Sequence, residues 1–211
     1  MTDRPFVPNH RDRRGFVPGN QPRLFVGAPI PQAVAASVGA LIERVASAMG
    51  PDGRSVRWVQ MDGLHVTLRF LGPTPPDRVG SVEAAVDEAA HLLEGPFEVR
   101  LGGAGGFPDV TRPRALWLGI RAGAGDLGRL SDGLASALAA RGWELEARPF
   151  RPHLTIARTD GVHAGADAGQ RLIAAASDLD LPFTVDRVIL YRSHLGHGPA
   201  RYEVVHEAGF G

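Results

Sequence analysis

Two segments of the chain repeat one pattern, Leu64-His65-Val66-Thr67-Leu68-Arg69-Phe70 and Phe150-Arg151-Pro152-His153-Leu154-Thr155-Ile156-Ala157-Arg158. Both read His-aliphatic-Thr-aliphatic. Side chains along an extended strand point to opposite faces in turn, so each His shares a face with its Thr while the aliphatic residues turn to the other. Each segment therefore has to be a half-buried strand that presents an imidazole and a hydroxyl together. Eight histidines and seven threonines in 211 residues give roughly 0.3 His-x-Thr triplets by chance, so two copies flanked by aliphatics constrain the architecture. Their separation, 153 − 65 = 88 residues, suggests two similar halves, each contributing one strand to a shared groove.

The intervening sequence mixes both periods. Arg23–Ala28 reads as a strand, and Pro31 to Met49 as a helix with Val34, Val38, Leu41, Ile42 and Val45 on one stripe. Val56–Val59 and Leu64–Phe70 read as strands, Asp77 to Leu93 as a second helix facing inward through Val79, Val82, Val86, Ala89, Ala90 and Leu93. Phe97–Leu101 and Arg114–Ile120 read as strands, with the glycine-rich Gly102–Pro108 between them as a flexible loop, since it lacks a Lys-Ser/Thr ending and opens no helix. A helix over Asp126–Ala140 closed by Gly142, a weaker one over Ala168–Ser177, and short strands at Phe183–Val185, Val188–Tyr191 and Tyr202–Val205 complete the reading. Helices do not alternate regularly with strands, which favours an α+β fold with mainly antiparallel pairing. The expected form is bilobed: two pseudo-symmetric lobes, each a sheet with flanking helices, and a cleft between them. Residues 1–22, rich in Pro and Arg without either period, are expected to be a flexible arm ahead of a domain spanning 23–211.

Composition narrows the partners. Arginine supplies all 23 basic residues and 23 acidic residues balance them, so a polyanion would have to be met by local clusters and not by a global positive field. Without cysteine the chain has no disulfide, thiolate metal site or Cys nucleophile. No apolar run is long enough to span a bilayer, and the expectation is a cytoplasmic monomer.

If the two His-Thr strands face each other, two imidazoles flank one space. Histidine titrates near neutrality, so one ring can accept a proton while the other donates one. That suits in-line displacement at phosphorus: one His activates the nucleophile, the other protonates the leaving oxygen, and Thr67 and Thr155 hold non-bridging oxygens. A strained five-membered cyclic phosphodiester fits well, and no metal or cofactor is called for. Arg151 is a candidate to steer phosphate or to pair with a carboxylate. Phe107 and Tyr191 are candidates for stacking on a base, with core packing as the competing reading. Arg69 and Arg158 alternate out of the His-Thr register or lie beyond it, so a solvated or lobe-bridging place is expected. His194 and His197 have a spacing compatible with metal ligands but no Asp, Glu or Cys nearby in sequence, which favours a polar loop.

These segments, with Val56-Arg57-Trp58-Val59, Phe107-Pro108, Arg114–Gly119 and Leu190-Tyr191-Arg192-Ser193 followed by Tyr202, resemble in order those of the two-histidine phosphoesterases. The likeness is to the bacterial and archaeal RNA 2′,3′-cyclic phosphodiesterases, also called 2′-5′ RNA ligases, and covers Arg23 to Val205. The resemblance implies hydrolysis of a terminal 2′,3′-cyclic phosphate, on RNA 3′ ends or nucleotides, to a 2′-phosphate. It also implies that His65 protonates the departing 3′ oxygen and that His153 activates water. On that order of acid and base the residues themselves are symmetric. Joining or cleaving 2′-5′ linkages at the same site, or binding RNA ends without catalysis, are the alternatives.

Overall fold

The computed structural model describes residues 21–145, 149–159, 164–194 and 200–211. Most of the expected arm lies outside the described residues. Its last residues do not: the Pro22 carbonyl already accepts the Thr74 backbone N–H at 2.9 Å.

Among the described residues, nine strands and four helices follow in order: β1 Arg23–Pro29, α1 Gln32–Ala48, β2 Arg57–Trp58, β3 His65–Pro73, α2 Val79–Ala90, β4 Phe97–Phe107, β5 Ala115–Ala122, α3 Ala124–Ala140, β6 His153–Arg158, α4 Gly165–Ala175, β7 Leu181–Val185, β8 Arg187–His194 and β9 Arg201–Gly209. They form two antiparallel sheets, β3-β1-β8-β9 and β2-β6-β5-β4-β7. The apolar stripe read for α1 is the face it buries, with Val34, Val38, Leu41, Ile42 and Val45 all in the core. Helix α3 stops at Arg141, after which Gly142 takes a positive φ of 74°, the left-handed conformation in which a side chain is costly. No helix among the described residues is long and apolar enough to cross a membrane.

Helices α2 and α3 pack on the first sheet, α2 on β8 and β9 and α3 on β3, while α1 and α4 pack together on the second, against β7 and β4. Each sheet thus buries one face under two helices and leaves the other uncovered. The buried faces carry Leu24, Val26, Val66 and Leu68 in one lobe and Leu101, Leu118 and Leu154 in the other, all essentially inaccessible. The two-lobed antiparallel α+β architecture is as expected.

Two expectations need correcting. The lobes are not successive halves of the sequence: the first sheet takes β1 and β3 from the beginning of the chain and β8 and β9 from its end, and α1 leaves that sheet to cover the other. The glycine-rich segment is not a loop but the second part of β4. Its residues pair with β5 as Ala104↔Leu118, Gly105↔Trp117 and Gly106↔Leu116, beyond an irregularity after Leu101 where Gly103 has φ 68°. Glycine serves here as space: a Cβ on Gly105 would lie 2.3 Å from the Trp117 ring.

Candidate active site

On β3, His65 and Thr67 are half-buried on the uncovered face while Val66 and Leu68 are buried beneath, and β6 repeats this with His153 and Thr155 above Leu154 and Ile156. The two strands approach with Cα atoms within 8 Å where the sheets meet, so the two helix-free faces wall a single cleft.

The imidazoles are held alike. His65 Nδ1 lies 2.7 Å from the Gly63 carbonyl and His153 Nδ1 lies 2.6 Å from the Arg151 carbonyl, each two residues upstream. A carbonyl can only accept, so Nδ1 carries the proton in both rings and Nε2 is left for chemistry. Aromatic rings brace each imidazole. Phe25 (ring centroids 4.6 Å apart), Tyr191 (5.4 Å) and the edge-on Tyr202 (5.1 Å) surround His65, and Phe107 (5.0 Å, edge-on) and Trp117 (6.4 Å) flank His153. Burial pushes both imidazoles below the ordinary His value, opposed in each case by the accepting carbonyl; for His153 the positive charge of Arg158 adds to the lowering.

Arg158 is a candidate site residue that strict alternation misses. Thr155 pairs with Trp117 and Ala157 with Leu116, leaving Ile156 without a partner, and Arg158 then pairs with Ala115. Directly opposed residues in an antiparallel sheet share a face, and Ala115 shares one with Trp117. This β-bulge therefore returns Arg158 to the face of His153 and Thr155. The expectation that it lies out of register is corrected. Its charge also lowers the Tyr202 hydroxyl pKa against the raising effect of burial, so one guanidinium acts on His153 in one wall and on the ring that touches His65 in the other. Buried Thr159, which follows it, donates its hydroxyl to the Pro113 carbonyl and fixes the strand end.

A bulge on β3 has the converse effect. Thr67 pairs with Gly27 and Arg69 with Val26, skipping Leu68, so Arg69 turns to the helix side and donates to the Ser131 carbonyl and hydroxyl at 3.3 Å. It is neither solvated nor lobe-bridging, because α3 belongs to the same lobe. Phe70 pairs with Phe25 and comes onto the cleft face, 65% exposed.

The remaining candidates sort by exposure. Tyr191 is 4% exposed, with its ring stacked on Phe25 at 5.0 Å and its hydroxyl pushed up to about 12 by burial; it leaves no open face for a base, and packing wins. Tyr202, 38% exposed, has such a face. Phe107 is half-buried beside His153. Arg151 is exposed, and its engaged group is the backbone carbonyl. His194 is no loop residue: it ends β8, with Nε2 2.8 Å from the Glu203 carboxylate on β9, a partner distant in sequence. His197 lies outside the described residues.

The sequence profile of the 2′-5′ RNA ligase superfamily matches residues 34–197. The chain belongs to the 2′-5′ RNA ligase superfamily. Within it, the chain is 28% identical over 189 residues to the RNA 2′,3′-cyclic phosphodiesterase of Bacillus subtilis strain 168, covering 90% of this chain and 97% of that one. It is 35% identical over 149 residues to the protein of the same name from Geobacillus stearothermophilus, covering 70% of this chain and 46% of the relative, so it spans about half of that protein's length. Two solved structures of similar fold are a Thermus thermophilus protein (TM-score 0.69, 28% identity, 89% of this chain and 97% of that one) and Escherichia coli LigT complexed with 3′-AMP (TM-score 0.66, 25% identity, 90% and 99%).

Proposed function

We propose that this protein hydrolyses 2′,3′-cyclic phosphate at the 3′ end of RNA, or on a nucleotide, to a 2′-phosphate, as the names of its superfamily relatives imply for them. The observation that carries the reading is the matched pair of imidazoles, each with Nδ1 tied to a carbonyl and Nε2 free, on strands that meet at one cleft.

In the proposed reaction His153 Nε2 takes a proton from water as the water oxygen attacks phosphorus. The bond from phosphorus to O3′ breaks, and His65 Nε2 gives its proton to the departing oxygen. Thr67, Thr155 and Arg158 hold the non-bridging oxygens, and the exposed side chain of Arg151 assists in drawing the anion in. The order of acid and base is the one the resemblance to the two-histidine phosphoesterases implies. Arg158 disfavours the charged form of His153, which suits a base. The Phe25 and Tyr191 rings within 6 Å of His65 offer an imidazolium there cation–π attraction, which opposes the lowering by burial. One chain supplies both rings, so the proposed active unit is a monomer, acting on RNA ends in the cytoplasm.

The test is turnover of a nucleoside 2′,3′-cyclic phosphate in excess EDTA. Steady conversion to the 2′-monophosphate supports the reading; saturable binding without conversion would replace it with a nucleotide-binding module.

A further inference from the structure

Strand β2 sets a second guanidinium beside Arg158. In the antiparallel pairing of β2 with β6, Arg57 stands opposite Arg158 and Trp58 opposite Ala157. Opposed residues share a face with Cβ atoms about 4.5–5.5 Å apart, where like charges are destabilising. Trp58 and Ala157 turn to the core, so Arg57, exposed, projects from the face that carries His153, Thr155 and Arg158. Among the described residues neither Arg57 nor Arg158 pairs with a carboxylate that would offset this repulsion. In a chain of zero formal net charge, a like-charge pair set in register at the edge of the cleft calls for an anionic ligand.

Resting on the reading above, we propose that Arg57, set beside Arg158, forms a second anion subsite next to the reacting phosphorus, and that it takes the phosphodiester linkage immediately 5′ of the terminal cyclic phosphate. An RNA 3′ end continues in one direction only, so the next negative charge beyond the cyclic phosphate is that linkage. A planar guanidinium fork matches its two non-bridging oxygens. Because Arg57 sits on an edge strand, the rest of the RNA can run past it into solvent. A mononucleotide cyclic phosphate has no such linkage, so the subsite separates RNA ends from free nucleotides.

The experiment compares kcat/KM for a cyclic mononucleotide and for an RNA trinucleotide ending in 2′,3′-cyclic phosphate, in wild type and Arg57→Gln. It also uses a trinucleotide whose last internucleotide linkage is a neutral methylphosphonate. Arg57→Gln should cost the trinucleotide roughly tenfold, as for one charge-assisted contact, and lower its salt dependence by about one charge. The methylphosphonate should cost wild type a similar factor and cost the variant little more, a non-additivity that a folding defect would not produce. Equal losses on both substrates, or full additivity of the two changes, would overturn the subsite. If wild type opens neither substrate, the functional reading has failed instead. The subsite is then judged by fluorescence anisotropy of a labelled RNA trinucleotide 3′-phosphate, which Arg57→Gln must weaken roughly tenfold if the subsite stands and leave unaltered if it does not.

Discussion

With Nδ1–H committed to a backbone carbonyl, each imidazole can exchange protons only through Nε2, and what separates the two rings is their neighbours. If His65 is the acid, its loss matters less when the leaving group needs no proton. His65→Ala is expected to slow the cyclic substrate 10²–10⁴-fold but to slow an aryl phosphodiester with a good leaving group far less, whereas His153→Ala should slow both alike. Steady-state rates on the two substrates check this, and equal losses in both variants would remove the assignment. The pH profile follows from the same burial. Both rings lie below the ordinary value in the free protein, so the bell for kcat/KM, which reports the free enzyme, should peak below about pH 6.5. A bound phosphate anion raises both pKa values, so the kcat profile should be displaced to higher pH. Folding has a pH dependence of the same origin: near pH 6.5 the unfolded chain holds more protons on these rings, so stability falls as pH drops through that range and levels off below the folded values. The His-Thr pairs were legible because alternation along a strand is regular. Arg158 was not, because a one-residue bulge reverses parity and leaves no mark in the sequence.

Strands β4, β5 and β6 act together as the support of the His153 ring. Trp117 lies over Gly105 and beside His153, so Gly105→Ala should displace that ring, costing about 1–3 kcal/mol by overpacking and lowering kcat. Thermal unfolding together with rates measures both, and an unchanged Tm would contradict the packing account. The bulge that aims Arg158 predicts that Arg158→Gln lowers kcat/KM about 10–100-fold, the weight of a hydrogen bond to a charged group. A residue out of register, as strict alternation reads it, would lose almost nothing. Helix α1 was legible almost to the residue because its apolar stripe is unbroken, Gln32–Ala48 lying one residue inside the expected span at each end, whereas α2 and α4 depart from their expected bounds by two or three residues. The glycine-rich half of β4 was illegible, since glycine has poor strand propensity and the residue that requires it, Trp117, is supplied by another strand.

At the scale of the molecule the chain passes between the two sheets repeatedly, with α1 covering the sheet to which β1 does not belong. Neither lobe holds a contiguous stretch of sequence that could fold alone. Unfolding should therefore be one cooperative transition, with far-UV circular dichroism and tryptophan fluorescence coincident; two separated transitions would mean independent lobes. The repeated motif made two lobes legible, but repetition also suggested consecutive halves, and the sequence carries no signal of which sheet a helix will cover. What the interleaving achieves is to lock β3 and β6 side by side, which is the basis of the proposed catalysis. The most direct measurement is phosphorus NMR of RNA ending in 2′,3′-cyclic phosphate, incubated with the protein in excess EDTA. A 2′-phosphomonoester as sole product, lost when either His65 or His153 is replaced by alanine, is the predicted result; a mixture of 2′- and 3′-phosphates, or full turnover surviving in either variant, would contradict it.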